Sequence, residues 1–483
     1  MKFVVRLFPE VMVKSKSVRQ RFTRLLETNV RNVLKRVDEQ VKVRNLWDRL
    51  EVIAPGNGLH KRAALIDALS HIPGIANFSP CDDLPWQNLD DIATQVAAYW
   101  APRIGNRSFC VRVRRMQQCT TSSLDIERYV GGRLNELCPE ARVQLKQPDL
   151  TVRLDVDKER FALLHEQYPG LGGFPLASQE DVMVLLSGGY DSAVAAWQLI
   201  KRGSRVHYCF FNIGGPDHQS GVQRIACHLW KKYGSSHRVK FVAVPFEPVV
   251  NAIVEQVDPG QMGVVFKRLM MKVAGRMADR QKIDALVTGE AVGQVASQTL
   301  TNLRIIDSAT DHIILRPLIA ADKQEIIDVA KRIGSASMSE ALPEYCSVIS
   351  RSPTVRAVAA RIEAEEAKID PALLDAAVRN AMTLDIRDLA ATGQESSSEP
   401  ETVATLPLDA VVIDIRSPEE QEARPLTLAV DVESIPFFQL ERRFPTLAAD
   451  RNYYLYCDRG VMSRLHALLL SERGFANVKV YRP

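Results

Sequence analysis

No two of the eight cysteines stand at CxxC spacing, which excludes zinc-ribbon chemistry and a secreted disulfide framework. Cys81, Cys110, Cys119, Cys138, Cys209, Cys227, Cys346 and Cys457 are scattered along the chain. In a reducing compartment most are expected to be small buried hydrophobes. No stretch approaches the ~20 consecutive apolar residues of a membrane span. The first residues, Met1 to Pro9, are charged too early for a signal peptide, so a cytoplasmic location with no membrane partner is expected. There is no internal repeat, and no glycine loop closes on a lysine in the manner of GxxxxGK[ST].

What is present is a different glycine loop. Ser187-Gly-Gly-Tyr-Asp-Ser192 follows the apolar run Val182–Leu186 and precedes the helical pattern Ala193–Ile200. Strand, tight turn and helix in that order leave backbone N–H groups free at a helix N-terminus, where a phosphate fits. The SGGxDS pattern resembles the loop of ATP pyrophosphatases, which cleave ATP between the α- and β-phosphates. Asp191 beside such a site either binds Mg²⁺, orients a reacting group or merely caps the helix. Ser192 can cap equally well.

Composition is that of a globular protein, 46% hydrophobic and 25% charged over 483 residues, and the length suggests about three domains. The net charge of +4 is unevenly spread. Residues 1–50 hold thirteen Lys or Arg against five Asp or Glu. Arg112, Arg114 and Arg115 add a second basic strand, and the two together suit a phosphate backbone as well as a solvated face.

Periodicity divides the chain. Residues 1–60 read as a small α+β unit with strands at Phe3–Phe8 and Val41–Leu46 around a helical stripe from Val18 to Val37. Residues 61–167 mix helices and strands. Gly170–Pro175 is a turn-rich joint. From 178 to 390, apolar strand-length runs at Val182–Leu186, Val206–Phe211, Val239–Val244 and Ala285–Thr288 alternate with helices, which suits a parallel sheet covered on both faces. Residues 391–404 are polar and acidic and read as a flexible linker. Residues 405–483 form a compact α/β module with a helix at Arg464–Arg473.

Other segments carry chemistry. Lys267 can reach a nucleotide phosphate or simply face solvent. Gly289 and Gln298 follow a strand of the parallel sheet, where ligands of open α/β folds sit. Cys346 lies on a loop. Cys457 ends the apolar strand Tyr453–Tyr456 and opens Cys-Asp-Arg-Gly-Val-Met-Ser463 before a helix. A sulfur at a helix N-terminus near Arg459 is suited to a thiolate or persulfide anion; the alternative is a buried structural cysteine.

Taken in order, Tyr129-Val-Gly-Gly132, Gly172-Gly-Phe-Pro175, Ser187–Ser192, His207–Asn212, Val287-Thr-Gly-Glu290, Pro343-Glu-Tyr-Cys346 and Cys457–Ser463 resemble the tRNA 4-thiouridine synthetases, or tRNA sulfurtransferases, over nearly the whole chain. Tyr190 stands where Phe also occurs. The resemblance implies a multidomain α/β and α+β protein. Its parts are a ferredoxin-like domain, a THUMP domain that with it grips tRNA, an ATP pyrophosphatase domain of the adenine nucleotide alpha hydrolase type, and a rhodanese-like domain.

The resemblance also implies a reaction. ATP, with Mg²⁺, adenylates O4 of uridine 8, releasing pyrophosphate and leaving AMP to depart. A cysteine desulfurase loads Cys457 as a persulfide, and the sulfur passes to C4. Cys346 forms a disulfide with Cys457, which a reductant reopens. Asp191 and Lys323 match catalytic positions. Leu185, Leu186, Ser187, Gly188, Gly189, Asp191, Ser192, Lys267, Gly289 and Gln298 match the nucleotide site. Relatives with the rhodanese-like part also supply a sulfur-carrier protein of thiamine thiazole synthesis, and members are often homodimers. Two rivals are a sulfur carrier for thiamine alone and a non-catalytic tRNA-binding protein.

Overall fold

The computed structural model describes residues 1–46, 48–56, 58–116, 119–213, 215–342, 353–392, 401–407, 409–416, 418–448, 451–458, 463, 466–467, 470–471 and 474–482. Among the described residues the strands form three sheets. The first contains β1 (Lys2–Leu7), β2 (Lys42–Asn45), β3 (Arg49–Ile53), β4 (Ile75–Pro85), β5 (Ser108–Arg115), β6 (Arg142–Val143), β7 (Leu150–Val156), β8 (Arg160–Leu164) and β9 (Tyr168–Pro169). Their order is β2-β3-β1-β4-β8-β7-β5-β6, with β9 beside β4.

Alternation along β1 sends Phe3, Val5 and Leu7 into one core and Val4 into another with Cys81, Ala162 and Leu164, as a period of two requires. The helix Lys16–Leu34 lays Phe22, Leu26, Val30 and Leu34 on the first core at helical spacing. That core does not stop at residue 60. Leu65, Leu69, Ile72, Ile75 and Phe78 fill it from the helix Leu59–Ser70 and from β4, so the ferredoxin-like part extends past the boundary expected from periodicity. Phe174, from the glycine joint, closes the same core edge-on to Phe22. A separate core holds Trp100, Phe109, Val111 and Val152 beneath the helices Leu89–Ile104 and Ser123–Leu137. The first of these helices starts in a capping box made by Asn88 and Asp91. β4 is eleven residues long and pairs antiparallel with β1 on one side and β8 on the other, so both parts share one continuous sheet.

The second sheet contains β10 (Val182–Leu185), β11 (Val206–Asn212), β12 (Lys240–Pro245), β13 (Ala285–Val287), β14 (Ile313–Leu315) and β15 (Met382–Asp385), in the order β14-β13-β10-β11-β12-β15. All neighbours are parallel except β12 and β15. All four residues of β10 are buried, which is why the run reads as uniformly apolar. The chain steps from β10 to β11 and β12 on one side, then returns to β13 and β14 on the other. The loop after β10 therefore lies at the topological switch point, where open α/β sheets bind ligands.

The third sheet is parallel, with β16 (Thr402–Val403), β17 (Val411–Asp414), β18 (Asp431–Ser434), β19 (Tyr453–Tyr456) and β20 (Val478–Tyr481) in the order β16-β20-β19-β17-β18. The expected linker 391–404 is shorter than composition suggested. The helix Ile386–Thr392 takes its first residues, and Thr402–Val403 pair with Val480–Tyr481. Residues 393–400 between them lie outside the described residues, as does most of the expected helix Arg464–Arg473. Among the described residues no helix is long and apolar enough to cross a membrane.

Candidate nucleotide and sulfur sites

The loop after β10 is held from within. Leu186 N–H donates to the Cys209 carbonyl at 2.9 Å, extending the sheet by one bond. Ser187 N–H then donates to Ser192 Oγ at 3.2 Å, and the Ser192 hydroxyl donates back to the Gly189 carbonyl at 3.2 Å. Ser192 thus fastens the turn and is itself buried. Gly188 has φ +93°, and a Cβ there would come within 2.7 Å of Leu342 Cδ1. Glycine is required both by the backbone angle and by the close neighbour.

Asp191, in the first turn of the helix Tyr190–Lys201, reaches outward from its own helix. Its carboxylate accepts from Lys323 Nζ at 2.8 and 3.0 Å and from Gln294 Nε2 at 3.0 Å. The Ser192 hydroxyl, by contrast, bonds only within the turn, to Ser187 and Gly189. Lys323 opens the helix Lys323–Ile333 behind an Asp322–Glu325 capping box. Its ammonium also stands 5.7 Å from the Tyr190 ring centroid. The Tyr190 hydroxyl donates to Glu340 at 2.9 Å, a contact that phenylalanine cannot make.

The loop forms one wall of a cavity of about 430 Å³, a size suited to a small-molecule ligand. Leu185, Leu186, Ser187, Gly188, Gly189, Asp191, Ser192, Lys267, Gly289 and Gln298 all line it. Its apolar wall includes Phe211, Phe266 and Met270. Gln298 is buried, and its Oε1 has no partner among the described residues. Gly289 has a steric duty that sequence reading did not assign. A Cβ there would lie 2.5 Å from the Asp191 carbonyl carbon and 2.6 Å from Ser192 N.

Part of this wall is a charge cluster. Lys267 Nζ donates to Glu290 Oε1 at 2.6 Å. Arg316 Nε and the Thr288 hydroxyl donate to Glu290 Oε2 at 2.9 and 3.0 Å. Arg316 also grips Asp307. Burial opposes ionisation of Glu290, but Lys267 and Arg316 outweigh it and hold its carboxyl below the usual carboxylate range. Nothing local in the sequence marks Glu290, Arg316 or His218 as parts of the site. The buried His218 lines the cavity with Nε2 3.3 Å from the Ser187 carbonyl, and burial lowers its pKa against the opposing effect of that bond. Pairing across long sequence separation leaves no local signature to read.

Cys346 lies outside the described residues, but Leu342 and Pro353, which flank its segment, both line the cavity. Cys457 follows β19 and is 8% exposed. Its Sγ receives the Ser463 backbone N–H at 3.4 Å and lies 3.5 Å from Ser463 Oγ. Arg459, expected near the sulfur, is outside the described residues. Asp458, next to Cys457, accepts from Arg416 Nη1 at 3.0 Å, and Arg416 is clasped on its other side by Asp414 at 2.7 Å.

The basic residues on β5 differ from one another. Arg114 is paired with Asp48. Arg112 donates to the Leu145 carbonyl at 2.8 Å and approaches Glu127. Arg115 is exposed. Arg112, Arg114, Arg6 and Arg153 border a concavity of about 290 Å³ that also contains Asp155, so the positive face carries an internal counter-charge.

Four family models match consecutive parts of the chain: ThiI ferredoxin-like domain over 2–79, THUMP domain over 87–166, Thiamine biosynthesis protein (ThiI) over 177–370 and Rhodanese-like domain over 400–482. A tRNA sulfurtransferase of Shewanella piezotolerans is 52% identical over 484 residues, covering 100% of both chains. Another from a Shewanella species is also 52% identical with the same coverage. Among solved structures, a 4-thiouridine synthetase–RNA complex with bound ATP superposes with TM-score 0.69 at 24% identity, covering 80% of this chain and 99% of that one, which shows a shared fold. With four parts in the family's order and full-length relatives at this identity, the chain belongs to the tRNA sulfurtransferase (ThiI) family of enzymes.

Proposed function

We propose that this enzyme thiolates uridine 8 of tRNA by way of an adenylated base. The observation that carries the reading is the cavity wall. The phosphate-type loop and both flanks of the Cys346 segment border one space, beside the Asp191–Lys323 pair.

ATP fits this site by its chemistry. The loop offers backbone N–H groups at a helix N-terminus, and Lys267 and Lys323 supply cations for a polyanion. Gln298 Oε1 offers an acceptor to an exocyclic amine. Uridine O4 attacks the α-phosphorus and pyrophosphate leaves with its electron pair. Mg²⁺ would spread the leaving charge when bound, and Asp191 is the carboxylate on the loop that would hold it in exchange for Lys323. The terminal sulfur of a Cys457 persulfide then bonds to C4. Cys346 thiolate attacks Cys457 Sγ, the S–S bond to the transferred sulfur breaks, and AMP departs. The Cys346–Cys457 disulfide is opened by a two-electron reductant. The Ser463 N–H at Cys457 Sγ suits an anionic sulfur.

A cysteine desulfurase is the sulfur donor in this scheme, the basic face of β5 meets the RNA, and the reaction takes place in the cytoplasm. Purified enzyme incubated with unmodified tRNA, Mg-ATP, a desulfurase and cysteine should yield 4-thiouridine on nuclease digestion. Absence of thiolated base at position 8 overturns the proposal.

The family description, a thiamine biosynthesis protein, favours a second use of the same sulfur, its transfer to a carrier protein for thiazole synthesis. Asp191→Ala should abolish tRNA thiolation, by at least about a hundredfold, and leave loading of Cys457 from the desulfurase intact. Labelling with radioactive cysteine separates the two; loss of both would argue against division between an ATP step and a sulfur step.

A further inference from the structure

We propose that Glu290, backed by Arg316, is the positioning residue that sets Lys267 at the nucleotide phosphates. The inference rests on the ATP reading above. It begins from a buried carboxylate whose two oxygens are both spoken for. Oε1 takes the Lys267 ammonium at 2.6 Å; Oε2 takes Arg316 at 2.9 Å and the Thr288 hydroxyl at 3.0 Å. Glu290 is 6% exposed and lines the cavity, as Lys267 and Thr288 do.

An ammonium has three donors, and Glu290 uses one. Held at that point, the ammonium keeps two donors on the wall that Glu290 and Lys267 share. Without the carboxylate, a four-carbon chain with free rotors has no reason to keep its charge there. Arg316 has a distinct duty. It shares the Glu290 charge with Lys267 and is itself tied to Asp307 at 3.0 Å, so the carboxylate is braced from behind and Lys267 is not its sole counterion.

The brace is referenced to the phosphate loop through the next residue. Gly289 sits so close to the Asp191–Ser192 backbone that a Cβ would meet it at 2.5 to 2.8 Å. Main chain against main chain cannot slide as two side chains can. The string Thr288-Gly-Glu290 therefore converts the position of the loop into the position of an ammonium. Glu290 touches no reacting atom in this scheme and acts only through Lys267.

The test is a double-mutant cycle on ATP affinity and on tRNA-dependent pyrophosphate release, with the full chain. Glu290→Gln, Lys267→Met and the pair are compared with the parent. Each single change should weaken ATP binding roughly ten- to hundredfold, the worth of a charge-assisted hydrogen bond. The double variant should be no weaker than Lys267→Met, because both remove one device. Glu290→Gln should raise KM for ATP far more than it lowers kcat. Multiplicative losses, or a fall in kcat with KM for ATP unmoved, overturn the proposal. If Glu290→Gln does not fold, Arg316→Lys enters the same cycle with the same criterion. Failure of the ATP reading looks different: the parent enzyme itself would release no pyrophosphate with tRNA.

Discussion

At the scale of single residues, the site is set by contacts that allow no substitution. Gly289→Ala places a methyl group inside the backbone of Asp191 and Ser192. Overpacking of this kind costs about 1–3 kcal/mol, and here the strain falls on the phosphate loop. A fall in melting temperature of a few degrees, about 2–4 °C per kcal/mol for domains of this size, should accompany a larger loss of ATP affinity by calorimetry. Unchanged affinity would remove Gly289 from the loop's support. His218 gives a pH dependence. Burial pushes its pKa below the ordinary histidine value, so the folded state binds fewer protons than the unfolded one. Its contribution is intact above about pH 6.5 and is lost as pH falls through the lowered folded value. Denaturant midpoints at pH 7.5 and 5.5 should converge in His218→Gln relative to the parent; an equal fall in both proteins would assign the acid sensitivity elsewhere.

Elements show what is legible in a sequence and what is not. The strand–turn–helix unit around Ser187–Ser192 is local, and its apolar run, glycines and hydroxyl could be read in place. The same holds for β1, β11 and β19, whose alternation or near-uniform burial matches their apolar pattern. The end of the ferredoxin-like core was not legible, because Leu65 and Leu69 form a helix stripe that fits either neighbouring domain equally well. Nor was the identity of the turn-fastening residue, since Asp191 and Ser192 are both good caps and only the positions of Lys323 and Gln294 separate them. Thr402–Val403 read as linker because two residues carry no period.

The sulfur-bearing element depends on such a distant pairing. Arg416 is 4% exposed and joins Asp414 at the end of β17 to Asp458 beside Cys457. Arg416→Met leaves two carboxylates without their shared cation, one of them buried, and should cost about 3–5 kcal/mol in the rhodanese-like part. Hydrogen exchange should accelerate in β17 and β19 while β10 and β11 keep their protection. Protected β17 amides in the variant would show that the sheet end is fixed by other contacts.

Over the whole molecule, charge has to be counted after internal pairing. Arg114 is already matched by Asp48, whereas Arg115 is exposed on the same strand. If β5 meets the phosphate backbone, Arg115→Ala should reduce the slope of log affinity against log salt by about 1, and Arg114→Ala by less. Filter binding of unmodified tRNA over a salt series reads both slopes. Equal slopes in the parent and Arg115→Ala would move the interface off this strand.

β4 gives the half made of the ferredoxin-like and THUMP parts a further property. Because its residues 75–81 pair with β1 and its residues 81–85 with β8, the ferredoxin-like and THUMP parts are two regions of one plate, joined through a single continuous strand. A hinge between them would have to break a strand that both need. A plate of that kind works as a gauge: an RNA that touches both regions must present its contacts at one fixed span. One whose contacts are spaced otherwise can satisfy only one region at a time, so length becomes a criterion of selection without any base being read.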